Sequence, residues 1–287
     1  MMRSHPAVIA VIALIAAGGS AFAGAVPAGA AAPVRYQNGI FQTVVKTPDL
    51  VYGAATNVEK HKVTLKFDLY TPPAKDTVTS RPAIVWVHGG GFAAGDKTSP
   101  ELVDEANTFA KKGFVNISIN YRLEPGGCSA ARPTTSCVTA IKEATQDAQA
   151  AVRYLRNHAL TYGVDPHRIA IGGSSAGAIT AAEVGYATSE NPTAAVRTVL
   201  SLSGANLFSK ISKGDAAALF FHGTADPLVP YKWAAATVKE AKAKGLVAGL
   251  VTWKGAGHVP YVQFRTQILT LSTKFLYKTM DLVHAAH

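Results

Sequence analysis

Charge is scarce in this chain and cysteine scarcer: of 287 residues only 16% are charged and only two are cysteine. Cys128 and Cys137 form no CxxC pair, and no His-rich cluster accompanies them, so the ligand spacings of a zinc site are missing. No metal and no cofactor is expected. No apolar run reaches the ~20 residues that cross a bilayer, which argues against a stable membrane anchor. Acidic residues are also few, 18 against 28 basic, for a net charge of +10. Lys232, Lys239, Lys242 and Lys244 share one expected helix. No aromatic side chains interleave with them as a nucleic-acid surface requires, so they read as a solvated face and nucleic acid is not an expected partner.

What is plentiful is apolar material, 48% of the chain, enough for a large core. Part of it stands at the N-terminus. Arg3, the run Ala7 to Ala17 and the small-x-small triplet Ala21-Phe22-Ala23 follow the order of a secretory signal. Residues 1–23 are therefore expected as a signal peptide cut near Ala23, and the protein as secreted, periplasmic or cell-wall associated. Residues 24–40, small and proline-containing, are expected as a disordered lead-in. In an oxidising compartment Cys128 and Cys137 should close a disulfide, two free thiols being the alternative.

From residue 41 to 287 strand and helix patterns alternate as one domain. Val63 to Tyr70 alternates apolar and polar residues, and Ala83 to Val87 is apolar throughout, as a strand buried on both faces is. Further strands are expected at Phe114 to Asn120, Ile169 to Gly172, Val196 to Leu202, Ala217 to Phe221 and Leu246 to Trp253. Helical spacing places Ile141, Ala148, Val152 and Leu155 on one face within Val138 to Leu160. A closing helix does the same for Phe264, Ile268, Leu271 and Phe275. Strands separated by helices imply an α/β fold with a mostly parallel central sheet and helices on both faces. Its functional loops belong at the C-terminal strand ends.

The chemistry-bearing motifs fall on those ends. Gly173-Ser174-Ser175-Ala176-Gly177 matches G-x-S-x-G between a strand and a helix-forming segment, making Ser175 the candidate nucleophile. Ser174 is the rival, but Ala176 stands where the second glycine of its motif would fall. A serine needs a base and an orienting carboxylate. His258, in the small-residue loop Gly255 to Pro260, is the candidate base. Asp226, just past the strand Ala217 to Phe221, is the candidate orienter. His88-Gly89-Gly90-Gly91-Phe92 follows a buried strand and offers backbone N–H groups to an oxyanion. His88 itself is expected to brace that loop.

Taken together, HGGGF, NYRL (Asn120 to Leu123), DPHRIAIGGSSAG (Asp165 to Gly177), HGTADPLVP and GAGHVP resemble the bacterial carboxylesterase branch of the α/β-hydrolases. The chain is similar to hormone-sensitive-lipase-like esterases and to secreted acetyl and feruloyl esterases, from about Val63 to its end. The resemblance implies the α/β-hydrolase fold and a serine carboxylic-ester hydrolase working through an acyl-enzyme. In it Ser175, Asp226 and His258 are catalytic, and Gly90, Gly91 and Ala176 are oxyanion donors. It departs from the hormone-sensitive group in having Ser174 for an Asp and Ala178 for a second Gly. Neither the short N-terminal segment nor Ser203 to Ala216 has room for a sizeable cap. An open site suits short-chain or polymer-linked esters; a serine peptidase or another acyl-transfer hydrolase is the alternative. Oligomeric state is not legible.

Overall fold

Ala83–Val87 sends alternate side chains into two separate cores, because helices cover both faces of the sheet it crosses. Ala83, Val85 and Val87 join one apolar cluster, whereas Ile84 and Trp86 join the other. The computed structural model describes residues 34–128 and 134–285. Its strands are β1 (Val45–Thr56), β2 (Lys62–Thr71), β3 (Arg81–Val87), β4 (Val115–Ile119), β5 (Val164–Ser174), β6 (Thr198–Leu202), β7 (Ala217–Gly223) and β8 (Ala248–Trp253). They form one sheet in the order β1-β2-β4-β3-β5-β6-β7-β8. β1–β2 and β2–β4 pair antiparallel, and every pairing from β4 to β8 is parallel.

The first core holds the inner faces of α2 (Thr135–Asn157), α4 (Ala176–Gly185) and α5 (Tyr231–Ala243), with Ile141, Ala148, Val152 and Leu155 of α2 buried as their spacing requires. The second holds α1 (Pro100–Lys111) and α6 (Tyr261–Thr279) through Leu102, Phe109, Ile268 and Leu276. Every residue of α4 is buried, which explains why its small, apolar sequence shows no polar stripe.

Besides shifts at strand ends, of which the largest is β5 beginning at Val164 and not Ile169, the structure departs from the sequence reading in three places. Residues 34–40, expected as the end of a disordered lead-in, pack instead: Tyr36 is fully buried, edge-on to Phe114 at 5.3 Å, and its amide donates to Lys112 O at 2.8 Å. Burying one aromatic ring of this size is worth ~1.5–3 kcal/mol, enough to hold a short segment down. The helix expected over Val138 to Leu160 starts earlier, at Thr135, where Thr134 Oγ1 accepts from Cys137 N at 3.2 Å. It breaks at His158 before the short α3 (Ala159–Tyr162), leaving Leu160 exposed. β1 has no clear sequence signal: it is a mostly exposed edge strand interrupted at Pro48 and by register shifts.

Residues 203–216, between β6 and β7, carry no helix, so no cap arises there. The expected signal peptide and residues 24–33 lie outside the described residues. Among the described residues no helix is long and apolar enough to cross a membrane, and no group of three or more His, Cys, Asp or Glu could hold a metal ion.

Candidate active site

Ser175 sits in a tight turn from strand to helix. β5 ends at Ser174, α4 begins at Ala176, and Ser175 between them has φ 53° and ψ −118°, a backbone region that L-residues rarely adopt. The two flanking glycines explain the motif. A Cβ on Gly173 or Gly177 would lie 2.3 or 1.9 Å from Val87 O, so neither position tolerates a side chain. The turn lifts Ser175 partly into solvent while Ser174 stays buried, its Oγ donating to Glu101 Oε1 at 2.7 Å. The two serines thus have different partners and face different surroundings.

His258 Nε2 lies 2.7 Å from Ser175 Oγ, and His258 Nδ1 lies 2.8 Å from Asp226 Oδ2. Because the carboxylate only accepts, Nδ1 bears the hydrogen of that bond and Nε2 is left to face the serine hydroxyl. The loops that carry the two residues are bound to each other. Ala225 N donates to Ala256 O at 2.9 Å, Gly255 N to Thr224 Oγ1 at 2.9 Å, and Val259 N to the buried Ser203 Oγ at 3.0 Å. Asp226 Oδ1 accepts from the amides of Leu228 and Val229 at 2.9 and 3.0 Å. Burial pushes the Asp226 carboxyl up, but the bonds from His222, His258 and those two amides outweigh it and hold the group far below the usual carboxylate range.

The loop after β3 arrives beside the serine because Val87 and Gly173 are register partners in adjacent parallel strands. The amides of Gly90, Gly91 and Ala176 donate to no described residue and remain available. His88 braces this loop as expected. Its ring is buried, stacks on Tyr121 at 4.4 Å, and places Nδ1 2.6 Å from Gly89 O. Burial lowers its pKa, which keeps a charge out of the brace. The NYRL segment is the support beneath. Asn120 Oδ1 accepts from Lys97 N at 2.7 Å, Tyr121 Oη donates to His88 O at 3.0 Å, and Arg122 is bound to buried Asp147 through Nε and Nη2.

Cys128 and Cys137 are joined as a disulfide. Cys128 N donates to Gly91 O at 2.8 Å, so the bridge also tethers the glycine loop.

Two cavities meet at Ser175. The larger, about 440 Å³, is lined by the glycine loop, Ser99, Glu101 and Ser174, with His258 on one wall. The smaller, about 200 Å³, is apolar, walled by Phe92, Cys128, Ala176, Ile179 and Val229. Leu228, 57% exposed, borders both. Sequence reasoning missed Glu101, Ser203, Leu228 and the contact of His222 with Asp226. None lies in a motif that advertises it, and His222 reads simply as the end of a buried strand.

The comparisons with known proteins agree with this architecture. A family model described as BD-FAE matches residues 67–206, and one described as TAP-like protein matches residues 195–278. The chain is 36% identical over 119 residues to phenmedipham hydrolase of Pseudarthrobacter oxydans, covering 41% of this chain and 22% of that protein. It is 30% identical over 158 residues to lipase 1 of Yarrowia lipolytica, covering 50% and 32%. The chain thus matches a third or less of the length of these relatives. Among solved structures it is similar to apo esterase 2 of Thermogutta terrifontis, with a TM-score of 0.67 at 23% identity, covering 80% of this chain and 93% of that one.

Proposed function

We propose that this chain, which has the α/β-hydrolase fold, works as a serine carboxylic-ester hydrolase with Ser175 as nucleophile, His258 as general base and Asp226 as the group that orients the imidazole. The observation that carries the reading is the unbroken hydrogen-bonded chain Ser175–His258–Asp226 at the meeting point of two cavities. Ser175 Oγ attacks the ester carbonyl as its proton passes to His258 Nε2. The amides of Gly90, Gly91 and Ala176 receive the oxyanion, a contribution worth roughly 3–4 kcal/mol per donor in comparable sites. The C–O bond then breaks, the alkoxide takes the proton from His258, and the acyl group stays on Ser175. Water repeats the sequence in reverse and releases the acid.

The small apolar cavity favours short acyl groups, and the exposed rim leaves access for esters borne on polymers as well as small ones. Export is part of the same proposal. It rests on the signal-like residues 1–23, and the disulfide fits an oxidising compartment.

A fluorophosphonate probe tests the mechanism directly. Labelling should add one adduct, located at Ser175 by peptide mass analysis, and abolish hydrolysis of p-nitrophenyl acetate. An adduct elsewhere, or activity that survives complete labelling, overturns the assignment.

A further inference from the structure

The two cavities at Ser175 differ in one respect that fixes the orientation of a substrate. His258 lines the larger and not the smaller. When the C–O bond breaks, its electron pair leaves on the alcohol oxygen, and that oxygen takes its proton from His258 Nε2. The departing alcohol must therefore occupy the cleft that His258 lines, and the acyl group the apolar cavity beside Ala176.

A carboxylate stands in that alcohol cleft. Glu101, in the first turn of α1, is half-buried there, and its side-chain partner among the described residues is the buried Ser174 hydroxyl, which donates to Oε1 at 2.7 Å. No lysine or arginine among the described residues pairs with it. The neighbouring acids are committed elsewhere: Asp104 is bound by Arg265 and by Tyr261 Oη, and Glu105 is buried, which pushes its carboxyl well above the usual range. The molecule is basic overall, yet the wall that the alcohol meets is negative. A substrate filling the cleft displaces water from this carboxylate and strengthens its interaction with whatever charge the alcohol brings.

We infer that Glu101 makes this cleft selective for esters whose leaving alcohol carries a protonated amine, and unfavourable to esters of anionic alcohols. The inference rests on the ester-hydrolase reading and deepens it. Ser174 then acts as the positioning residue for Glu101, which accounts for a serine buried beside the nucleophile.

The test uses three acetate esters. These are 2-(dimethylamino)ethyl acetate, its uncharged isostere 3-methylbutyl acetate, and the anion acetoxyacetate, each rate being divided by the uncatalysed hydrolysis rate in the same buffer, where the amine is protonated, to remove intrinsic leaving ability. Normalised kcat/KM should favour the amine over the isostere by about tenfold and the isostere over the anion by a similar factor. About 0.5 M sodium chloride should shrink both ratios. In Glu101→Gln both should move close to one. Equal normalised rates for the three esters in the unaltered protein overturn the inference, and so do ratios that Glu101→Gln leaves unchanged. Hydrolysis of p-nitrophenyl acetate, run alongside, separates the two readings. If that reaction is absent, or survives Ser175→Ala, the ester-hydrolase proposal itself falls.

Discussion

His222 Nε2 lies 3.2 Å from Asp226 Oδ2, the same oxygen that His258 Nδ1 engages at 2.8 Å. His222 also reaches Val229 O at 2.9 Å, and its side chain is fully buried. One carboxylate oxygen is therefore clamped between two imidazoles, of which one faces the serine and the other faces the core.

His222→Ala should weaken that clamp. Asp226 has a folded-state pKa below its unfolded value, so its ionised form adds stability that is present above about pH 4 and lost as pH falls further. Removing His222 should cost about 1.5–3 kcal/mol near neutrality and less in acid. Thermal melts of both proteins from pH 3 to 8 check this; curves offset equally at every pH contradict it.

Turnover of p-nitrophenyl acetate should fall by several orders of magnitude in Ser175→Ala and in His258→Ala with the fold intact. Asp226→Asn should cost no more than either. Pairing any two should add little, because the three groups act as a unit. Ser174→Ala should retain substantial activity, since its hydroxyl is bound to Glu101 and not to His258. Steady-state kinetics and circular dichroism on the series decide it.

Acyl length should be limited by the cavity of about 200 Å³ walled by Phe92, Ile179 and Val229. p-Nitrophenyl acetate and butyrate should outrun laurate and palmitate in kcat/KM. Ile179→Ala, by removing part of the wall, should shift the optimum towards longer chains, which a chain-length series reads directly. A palmitate preference in the unaltered protein would refute the assignment of this cavity.

Opening the disulfide should act on both stability and chemistry, because Cys128 N holds Gly91 O. Cys128→Ser with Cys137→Ser should cost about 2–3 kcal/mol, as for other short loops. It should also lower kcat more than it raises KM, since the oxyanion amides would be less firmly aimed. Differential scanning calorimetry and kinetics measure the two effects separately.

Glu105 gives an opposite pH signature. Burial, aided by Glu101 and Asp104, raises its folded-state pKa well above the unfolded value. The stability of the protein with Glu105 protonated is fully present below about pH 4 and declines as pH rises towards the folded pKa. Glu105→Gln should remove that decline, so the variant should gain relative stability with rising pH. Denaturant titrations at pH 4 and pH 8 test the sign.

Much of this was legible in the sequence because two kinds of signal are strong. Ala83 to Val87, short, β-rich and apolar throughout, carries the signature of a strand covered on both faces, and the glycines around Ser175 answer to the crowding of a strand against a helix. The edge strand β1 was not legible, since an exposed strand interrupted by Pro48 lacks both alternation and an apolar run. Tyr36 looked like part of an unstructured leader because its burial depends on Phe114 and Lys112, far along the chain. Glu101 was invisible for a similar reason: its meaning comes from Ser174, which meets it only once the fold brings the first turn of α1 to the end of β5.

The pairing of Val87 with Gly173 also sets a timetable for a newly made chain. The glycine loop and the serine turn belong to neighbouring central strands, yet α1, β4, α2 and α3 stand between those strands in the sequence. Contacts of such long sequence separation carry a loop-closure cost that slows their formation. On the proposed mechanism, a chain in which β3 and β5 have not yet paired holds the Ser175 sequence without the amides of Gly90 and Gly91 beside it, and should be inert towards esters until the middle of the sheet has closed.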